Sequence, residues 1–328
     1  YLKLNKFFIE NGFYKINKKF YLLKYFLILF LLISSFLTLG IYDFISGILF
    51  GLVIQQSAFI GHDLGHNQIM TENSGFIFNK KYKKYAALFF GNFLFGVDAI
   101  NWSHNHDIHH VLTLMPGKDL QNDHLPFILY KKEEITWFPD KKLNFLLKLL
   151  LRIQYIYVLP VLFIVGKINL FFDLDNRSTL HSKNYLRSFG LFTHVMLWYY
   201  FISHANFWYS FFIPAWITAS MIHLQIIISH AYMPRISNFD LKEKGWIETQ
   251  TITTVDIATT WYNEWFHGGL QYQLAHHLYP RIPRHNLKKA RPFIIEFCKK
   301  NKLNYIIEPF SEAIYKMILS MKESGKSI

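Results

Sequence analysis

The chain has 328 residues, 52% of them hydrophobic and 19% aromatic, and its 35 Lys and Arg against 22 Asp and Glu leave a formal net charge of +13. With a mean hydropathy of +0.14 it falls outside the range of an ordinary soluble domain of this size. The basic excess does not read as nucleic-acid binding, because no basic recognition helix or finger motif occurs and the aromatic residues sit mainly in apolar runs; anionic lipid head groups, an acidic redox partner or a phosphate-bearing acyl carrier are the expected counterparts. The single cysteine, Cys298, excludes an intramolecular disulfide and agrees with a reducing compartment.

In chain order, residues 21–40 carry one early charge, Lys24, and then sixteen uncharged residues, about the length of one bilayer crossing. After Asp43, residues 44–61 stay uncharged, so a helical hairpin turning at Gly40-Ile41-Tyr42-Asp43 is expected over about 21–61. The first run is too long, and too closely followed by a second, to be a cleaved signal. The chain starts at Tyr rather than Met and is expected to lack its native beginning. Lys3, Lys6, Lys15, Lys18, Lys19 and Lys24 on one flank, and Lys80, Lys81, Lys83 and Lys84 on the other, put both ends of the hairpin on the cytoplasmic side.

Residues 85–101 are apolar but interrupted by Asn92 and Asp98, which fits an interfacial or half-buried helix. Residues 121–152, with Lys131, Lys132, Lys141, Lys142, Lys148 and Arg152, read as a cytoplasmic connector lying against the membrane. Three more apolar stretches follow, near 153–172, 187–204 and 207–230. Only an even number of crossings returns the more polar remainder, 231–328, to the side of the hairpin's ends. The preferred reading places the third crossing at 153–172 and the fourth within 207–230. A helical charged tail is expected from about Arg291. No internal repeat or low-complexity linker divides residues 1–328, so one domain is expected.

Seven of the 16 histidines fall in three clusters: His62-Asp63-Leu64-Gly65-His66, His106-Asp107-Ile108-His109-His110 and Gln273-Leu274-Ala275-His276-His277. On a helix, positions i, i+3 and i+4 share a face. His62 then points with His66, His106 with His109 and His110, and Gln273 with His276 and His277. A histidine pair four residues apart is ordinary by itself; three such clusters, each beside a long apolar stretch, are not. A structural zinc takes four ligands and a catalytic zinc three plus water, so seven histidines without a cysteine exceed either and suit two metals that keep positions open for oxygen. The expectation is an all-α integral membrane protein with four transmembrane helices, interfacial helices and a cytosolic helical cap (62–152 and 231–328) that carries a histidine-ligated di-iron site.

These clusters, with the surrounding Trp265-Phe266-His267-Gly268-Gly269-Leu270 and Leu278-Tyr279-Pro280, resemble the front-end desaturases of the membrane fatty acid desaturase superfamily over about residues 20–310. A third box opening with Gln is shared with the sphingolipid long-chain-base desaturases. Two departures stand out. Ala275 occupies the place of the usual Glu, so a supporting carboxylate must come from elsewhere, and Asp107 stands where Asn is common.

The resemblance implies insertion of a cis double bond between an existing one and the carboxyl end of a lipid acyl chain, carried as an acyl-CoA or in a phospholipid, with O2 as co-substrate. It implies two iron ions, electrons from cytochrome b5 and its NAD(P)H-dependent reductase, and a multi-pass place in the endoplasmic reticulum membrane with the site facing the cytosol. No His-Pro-Gly-Gly haem motif occurs in the chain, so haem is expected on a partner or a missing segment. A delta-8 type sphingolipid long-chain-base desaturase is the alternative, followed by a membrane lipid hydroxylase and a non-catalytic metal transporter.

The ligands carried over are His62, His66, His106, His109, His110, His276 and His277, with Gln273 in the place of a histidine of other relatives. His230, ending the last apolar stretch, is an added candidate ligand. His104, His223 and His267 are weaker candidates for contact with substrate or ligands. Asp63, Asp107 and Asn263 are candidates for orienting ligand imidazoles. Arg281, Arg284, Lys288 and Lys289 are expected to hold a head-group phosphate or carboxylate, or to anchor the chain at the interface. The aromatic stretches near 85–100 and 198–216 are candidate walls of an acyl channel.

Overall fold

A computed structural model describes residues 1–71, 78–119, 121, 127–137, 144–171, 174–182 and 184–328. Lys141 and Lys142 of the expected connector lie outside the described residues. The chain forms two compact units, one of Lys15–His104 with Pro160–His223, the other of Tyr1–Tyr14, Asn105–Leu159 and Leu224–Ile328.

In the first of these units, the helices Lys18–Thr38 and Asp43–Gly65 pack along each other as an antiparallel pair. Asn17 starts the first helix, its side chain accepting the Phe20 N–H. Gly40 ends the turn with φ +76°, a conformation only glycine adopts without cost, and its N–H donates to Asp43 at 2.9 Å. The second helix is built for close approach. A Cβ on Gly47 would stand 2.2 Å from the Tyr209 carbonyl oxygen, and one on Gly51 2.9 Å from the Ile217 side chain. Small residues four apart let backbones meet where no water is present to drive association.

Leu23, Phe26, Phe30, Ile33 and Leu37, spaced at three and four residues on the Lys18–Thr38 helix, are all at least half exposed. Such a stripe suits hydrocarbon rather than water. Among the described residues, three helices are long and apolar enough to cross a membrane: Lys18–Thr38, Asp43–Gly65 and Phe145–Phe163.

The stretch chosen for a fourth crossing, 207–230, is not one uniform helix. It breaks into the π-turns Trp208–Phe212 and Trp216–Ser220 and the short α segments Ile213–Ala215 and Met221–Ile227. Pro214 has no N–H for the ladder, and the Thr218 hydroxyl donates to the Pro214 carbonyl one turn back. The neighbouring stretch is a continuous 20-residue helix, Tyr185–His204. The expected half-buried segment is the π-helix Leu88–Phe95, closed by Gly96 at φ +82°.

Asp98 then starts the helix Ala99–Val111. Its Oδ1 accepts the N–H groups of Ile100 and Asn101 at 3.0 Å each. The Arg187 guanidinium clamps the same carboxylate in a fork, Nη2 to Oδ1 at 2.6 Å and Nε to Oδ2 at 2.7 Å. Thr179 and Asn92 donate to Oδ2, and Asn176 accepts the Asp98 N–H at 2.7 Å. Full burial without these partners would be prohibitive for a carboxylate.

In the other unit, Phe8 of the helix Leu2–Glu10 packs with Leu274, Ala275, Leu278, Tyr279, Leu287, Ala290 and Ile294. Each such large side chain contributes about 1.5–3 kcal/mol on burial. The helix Gln273–Leu278 is thereby held beside Arg284–Lys300, which begins earlier than the charged tail expected from Arg291. Departing from a purely helical expectation, two three-residue strands, β1 (Asp256–Ala258) and β2 (Ile307–Pro309), pair in parallel with Asp256 opposite Ile307.

Burial raises the Asp98 carboxyl, but the hydrogen bonds from Arg187, Thr179 and Asn101 outweigh it and hold the group below the usual carboxylate range. The depressed value means a stabilisation present above the unfolded carboxylate range, near pH 4, and lost as pH falls through the folded value. Arg187→Met, which leaves Asp98 buried and unpaired, is expected to lower stability by about 3–5 kcal/mol. Thermal unfolding of the detergent-solubilised protein measures it, and the difference from wild type should shrink once the medium is acid enough to protonate Asp98.

Candidate metal centre

His109, His230 and His277 bring one ring nitrogen each to within 4.8 Å of one another, and all three side chains are buried. They come from separate stretches of chain: the helix Ala99–Val111, the turn after Met221–Ile227, and the helix Gln273–Leu278. In each, Nδ1 already faces an oxygen. His109 Nδ1 lies 2.9 Å from Asp119 Oδ2, His230 Nδ1 2.9 Å from the Thr253 carbonyl, and His277 Nδ1 2.8 Å from Gln250 Oε1. A neutral imidazole has one N–H and one lone pair, so an acceptor at Nδ1 leaves the lone pair on Nε2.

The acceptors are themselves fixed. Asp119 also takes the Leu114 N–H at 2.9 Å, and Gln250 takes the Thr113 hydroxyl at 3.1 Å. Burial and the repulsion of the surrounding imidazoles, His230 first, hold His277 far below the ordinary histidine range. It is therefore neutral, as a metal ligand must be.

Gln273 is buried beside this triad, its Nε2 3.2 Å from His230 Nε2 and 3.3 Å from His277 Nε2. Its Oε1 is buried without a hydrogen-bond partner among the described residues. Turning the carboxamide over exchanges two nearly isosteric ends and offers that oxygen to the same point. Three neutral-capable imidazoles with ring nitrogens within 4.8 Å of one another and one orphaned amide oxygen form a donor set that fits a divalent first-row metal, with imidazole suited to iron or zinc.

The same unit holds a second group. His106 and His110, one turn apart, place their Nε2 atoms 3.2 Å from each other, and His106 Nδ1 faces Gln121 at 2.7 Å. The His276 ring stands 4.6 Å from that of His110.

In the other unit, His62 and His66 close the helix Asp43–Gly65 edge to face, ring centroids 4.7 Å apart, with Trp102 against His62 and Asp63 3.6 Å from its Nδ1. His104 is exposed, and the side chain of His223 lies outside the described residues. His267 is buried beside Gln225. Of the other candidate orienting residues, Asp107 is exposed, while Asn263 accepts from the N–H and hydroxyl of Thr260 within a turn.

The basic quartet is dispersed in role. Lys288 pairs with Glu264 at 2.7 Å, Arg284 is buried and donates to the Gly268 carbonyl at 3.2 Å, and Arg281 and Lys289 are exposed. Gly268 and Gly269 have φ of +62° and +98°, and a Cβ on Gly269 would meet the Arg284 side chain at 2.9 Å. The paired glycines of the third motif thus serve the turn that leads into Gln273–Leu278.

Asp119, Gln121, Gln250 and the Thr253 carbonyl carried no sequence signal, because each reaches its imidazole from a loop or helix with no fixed spacing to a box. Ala275 is fully buried in the apolar cluster, and Asp119 is a carboxylate that reaches a box histidine from elsewhere.

A family model described as fatty acid desaturase matches residues 39–309. Among curated proteins, the chain is 31% identical to a Delta 8-(E)-sphingolipid desaturase of Komagataella phaffii over 100% of this chain and 62% of that protein. It is 32% identical to Delta(8)-fatty-acid desaturase 1 of Arabidopsis thaliana over 86% of this chain and 63% of that protein. It is 29% identical to an Acyl-lipid (9-3)-desaturase of Borago officinalis over 82% of this chain and 60% of that protein. The chain therefore spans less than two thirds of the length of these relatives.

Asp119→Ala frees the His109 ring to turn and to exchange tautomers. The expected result is a metal affinity about 10–100-fold lower, read by competition with a chelator of known affinity.

Proposed function

The chain belongs to the fatty acid desaturase family, and from that premise we propose that it is the membrane-bound catalytic part of a front-end fatty acyl desaturase. It would insert a cis double bond between an existing one and the carboxyl end of an acyl chain presented as acyl-CoA or in a phospholipid. Electrons would come from cytochrome b5 and its NAD(P)H-dependent reductase. The proposed setting is the endoplasmic reticulum membrane, with four crossings and the di-iron cap facing the cytosol.

The observation that carries the reading is the buried triad His109, His230 and His277, each with Nδ1 held by an oxygen, their ring nitrogens within 4.8 Å of one another and Gln273 beside the Nε2 atoms of His230 and His277. We assign one metal to these residues. The remaining box histidines, His62, His66, His106, His110 and His276, are kept as candidate ligands on the box pattern of the sequence alone.

An unactivated methylene has no useful acidity, so the iron, when bound, supplies the O2-dependent oxidising power that no side-chain base can. The chain's own residues do the rest. Asp119, Gln250 and the Thr253 carbonyl fix the tautomer and the aim of the imidazoles. Burial excludes water and competing reactions, and the aromatic walls near 85–100 and 198–216 are proposed to place the acyl chain.

A second reading, desaturation of a sphingolipid long-chain base, is favoured by a relative that aligns over the whole of this chain and is named a sphingolipid desaturase.

The test is expression with a cytochrome b5 partner in a desaturase-poor host fed polyunsaturated acids, followed by lipid mass spectrometry with double-bond localisation. A new double bond on the carboxyl side of an existing one is the expected outcome. Unsaturation confined to the long-chain base of ceramides moves the assignment to the second reading, and a product heavier by one oxygen makes the protein a hydroxylase. His277→Ala and His230→Ala are each expected to abolish product without changing the amount of chain in the membrane.

A further inference from the structure

The residues between His230 and the third box tie the two together. The Thr253 carbonyl takes His230 Nδ1, the Val255 N–H donates to the Ser229 carbonyl at 3.0 Å, and Asp256 Oδ1 accepts the Leu274 N–H at 2.9 Å. Three residues of the segment 253–256 thus tie it to His230 and the backbone beside it at one end and to the helix of Gln273 and His277 at the other.

Asp256 is fully buried, and nothing in its position requires a carboxylate for solubility. Its other oxygen accepts the Tyr305 hydroxyl and faces Arg291 Nε at 3.2 Å. Its own N–H donates to the Ile306 carbonyl at 3.0 Å, and β1 is paired with β2 from Asp256 onward. Burial pushes the carboxyl up to about 6 even though Tyr305, the Leu274 N–H and Arg291 each lower it. The Leu274 N–H is one of the helix-start donors that no turn of the helix can satisfy.

We propose that Asp256 is a positioning residue for the metal centre: held by the Tyr305 hydroxyl and faced by the Arg291 charge, it sets the distance between His230 and the Gln273–Leu278 helix, and so the geometry in which Gln273 and His277 meet His230. The inference rests on the metal-binding reading of the triad. It requires no contact between Asp256 and metal or substrate, because the carboxylate acts through the Leu274 backbone.

The test uses Co2+ as a probe on the full chain in detergent, without O2 or lipid, because the visible bands of bound Co2+ report its coordination. Asp256→Asn keeps the shape and an acceptor but loses the charge facing Arg291; Tyr305→Phe removes one donor and leaves the carboxylate in place. For Asp256→Asn we expect Co2+ affinity to fall about tenfold, equivalent to about 1.4 kcal/mol, with altered visible bands. For Tyr305→Phe the expected fall is about threefold, and Asp256→Glu should restore part of the loss. Hydrogen exchange at the Leu274 amide of the metal-free chain is expected to speed up in both Asp256→Asn and Tyr305→Phe.

Wild-type affinity, wild-type bands and unchanged Leu274 exchange in both Asp256→Asn and Tyr305→Phe would overturn the proposal. So would faster global unfolding with unaltered Co2+ bands, which is the mark of a merely structural residue. A wild-type chain that binds Co2+ as expected and yields no desaturated lipid overturns the functional reading alone.

Discussion

Each imidazole of the triad spends one nitrogen on a protein oxygen, and the rest of the site depends on that expenditure. A histidine free to choose its tautomer and rotate offers a lone pair in no fixed direction. One whose Nδ1–H is held by Asp119, Gln250 or the Thr253 carbonyl offers it from Nε2 alone. The acceptors lie on a loop and on the helix Asn238–Thr253, and each is backed by a partner of its own where it is a side chain. The fold of this unit can be understood as the means of bringing those oxygens to those nitrogens while water is kept away.

Two histidine-bearing helices begin in the same physical way. Asp98 takes the first free N–H groups of Ala99–Val111 and is clamped by Arg187; Asp256 takes the Leu274 N–H of Gln273–Leu278 and faces Arg291. A buried carboxylate is costly unless its lone pairs are filled; Arg187 and Thr179 fill those of Asp98, while the Tyr305 hydroxyl and the Leu274 N–H fill those of Asp256 with the Arg291 charge beside it. The arrangement does more than satisfy charge. A helix started from a buried, multiply bonded anion cannot slide by a residue without breaking several bonds at once, so its histidines keep their register.

The apolar exterior obeys a different rule. Where Leu23, Phe26, Phe30, Ile33 and Leu37 face outward there is no apolar burial to gain between helices, and packing relies on closeness at Gly47 and Gly51. Hydrogen bonds inside that unit, such as the Ser46 hydroxyl to the Ser35 carbonyl at 2.8 Å, hold the hairpin where hydrophobic burial does less. Broken helical turns run from Trp208 to Ile227 around Pro214, which removes a donor from the ladder, and the Thr218 hydroxyl donates to the Pro214 carbonyl.

What the sequence determined by itself were the local patterns: two apolar runs that are the helices Lys18–Thr38 and Asp43–Gly65, histidines spaced for one helical face, and a glycine pair before Gln273. Periodicity and backbone sterics act over a few residues, so they can be read from a few residues. His230 stood out only because it ends an apolar stretch. Which nitrogens converge, which oxygens orient them, how Arg187 and Arg291 find their aspartates, and that residues 253–256 join His230 to the third box are matters of tertiary structure. So is the interruption of 207–230, whose composition alone reads as a span. These contacts join residues far apart in the chain, and a hydrogen bond between such residues leaves no spacing to detect; only the folded backbone decides which acceptor stands opposite which donor.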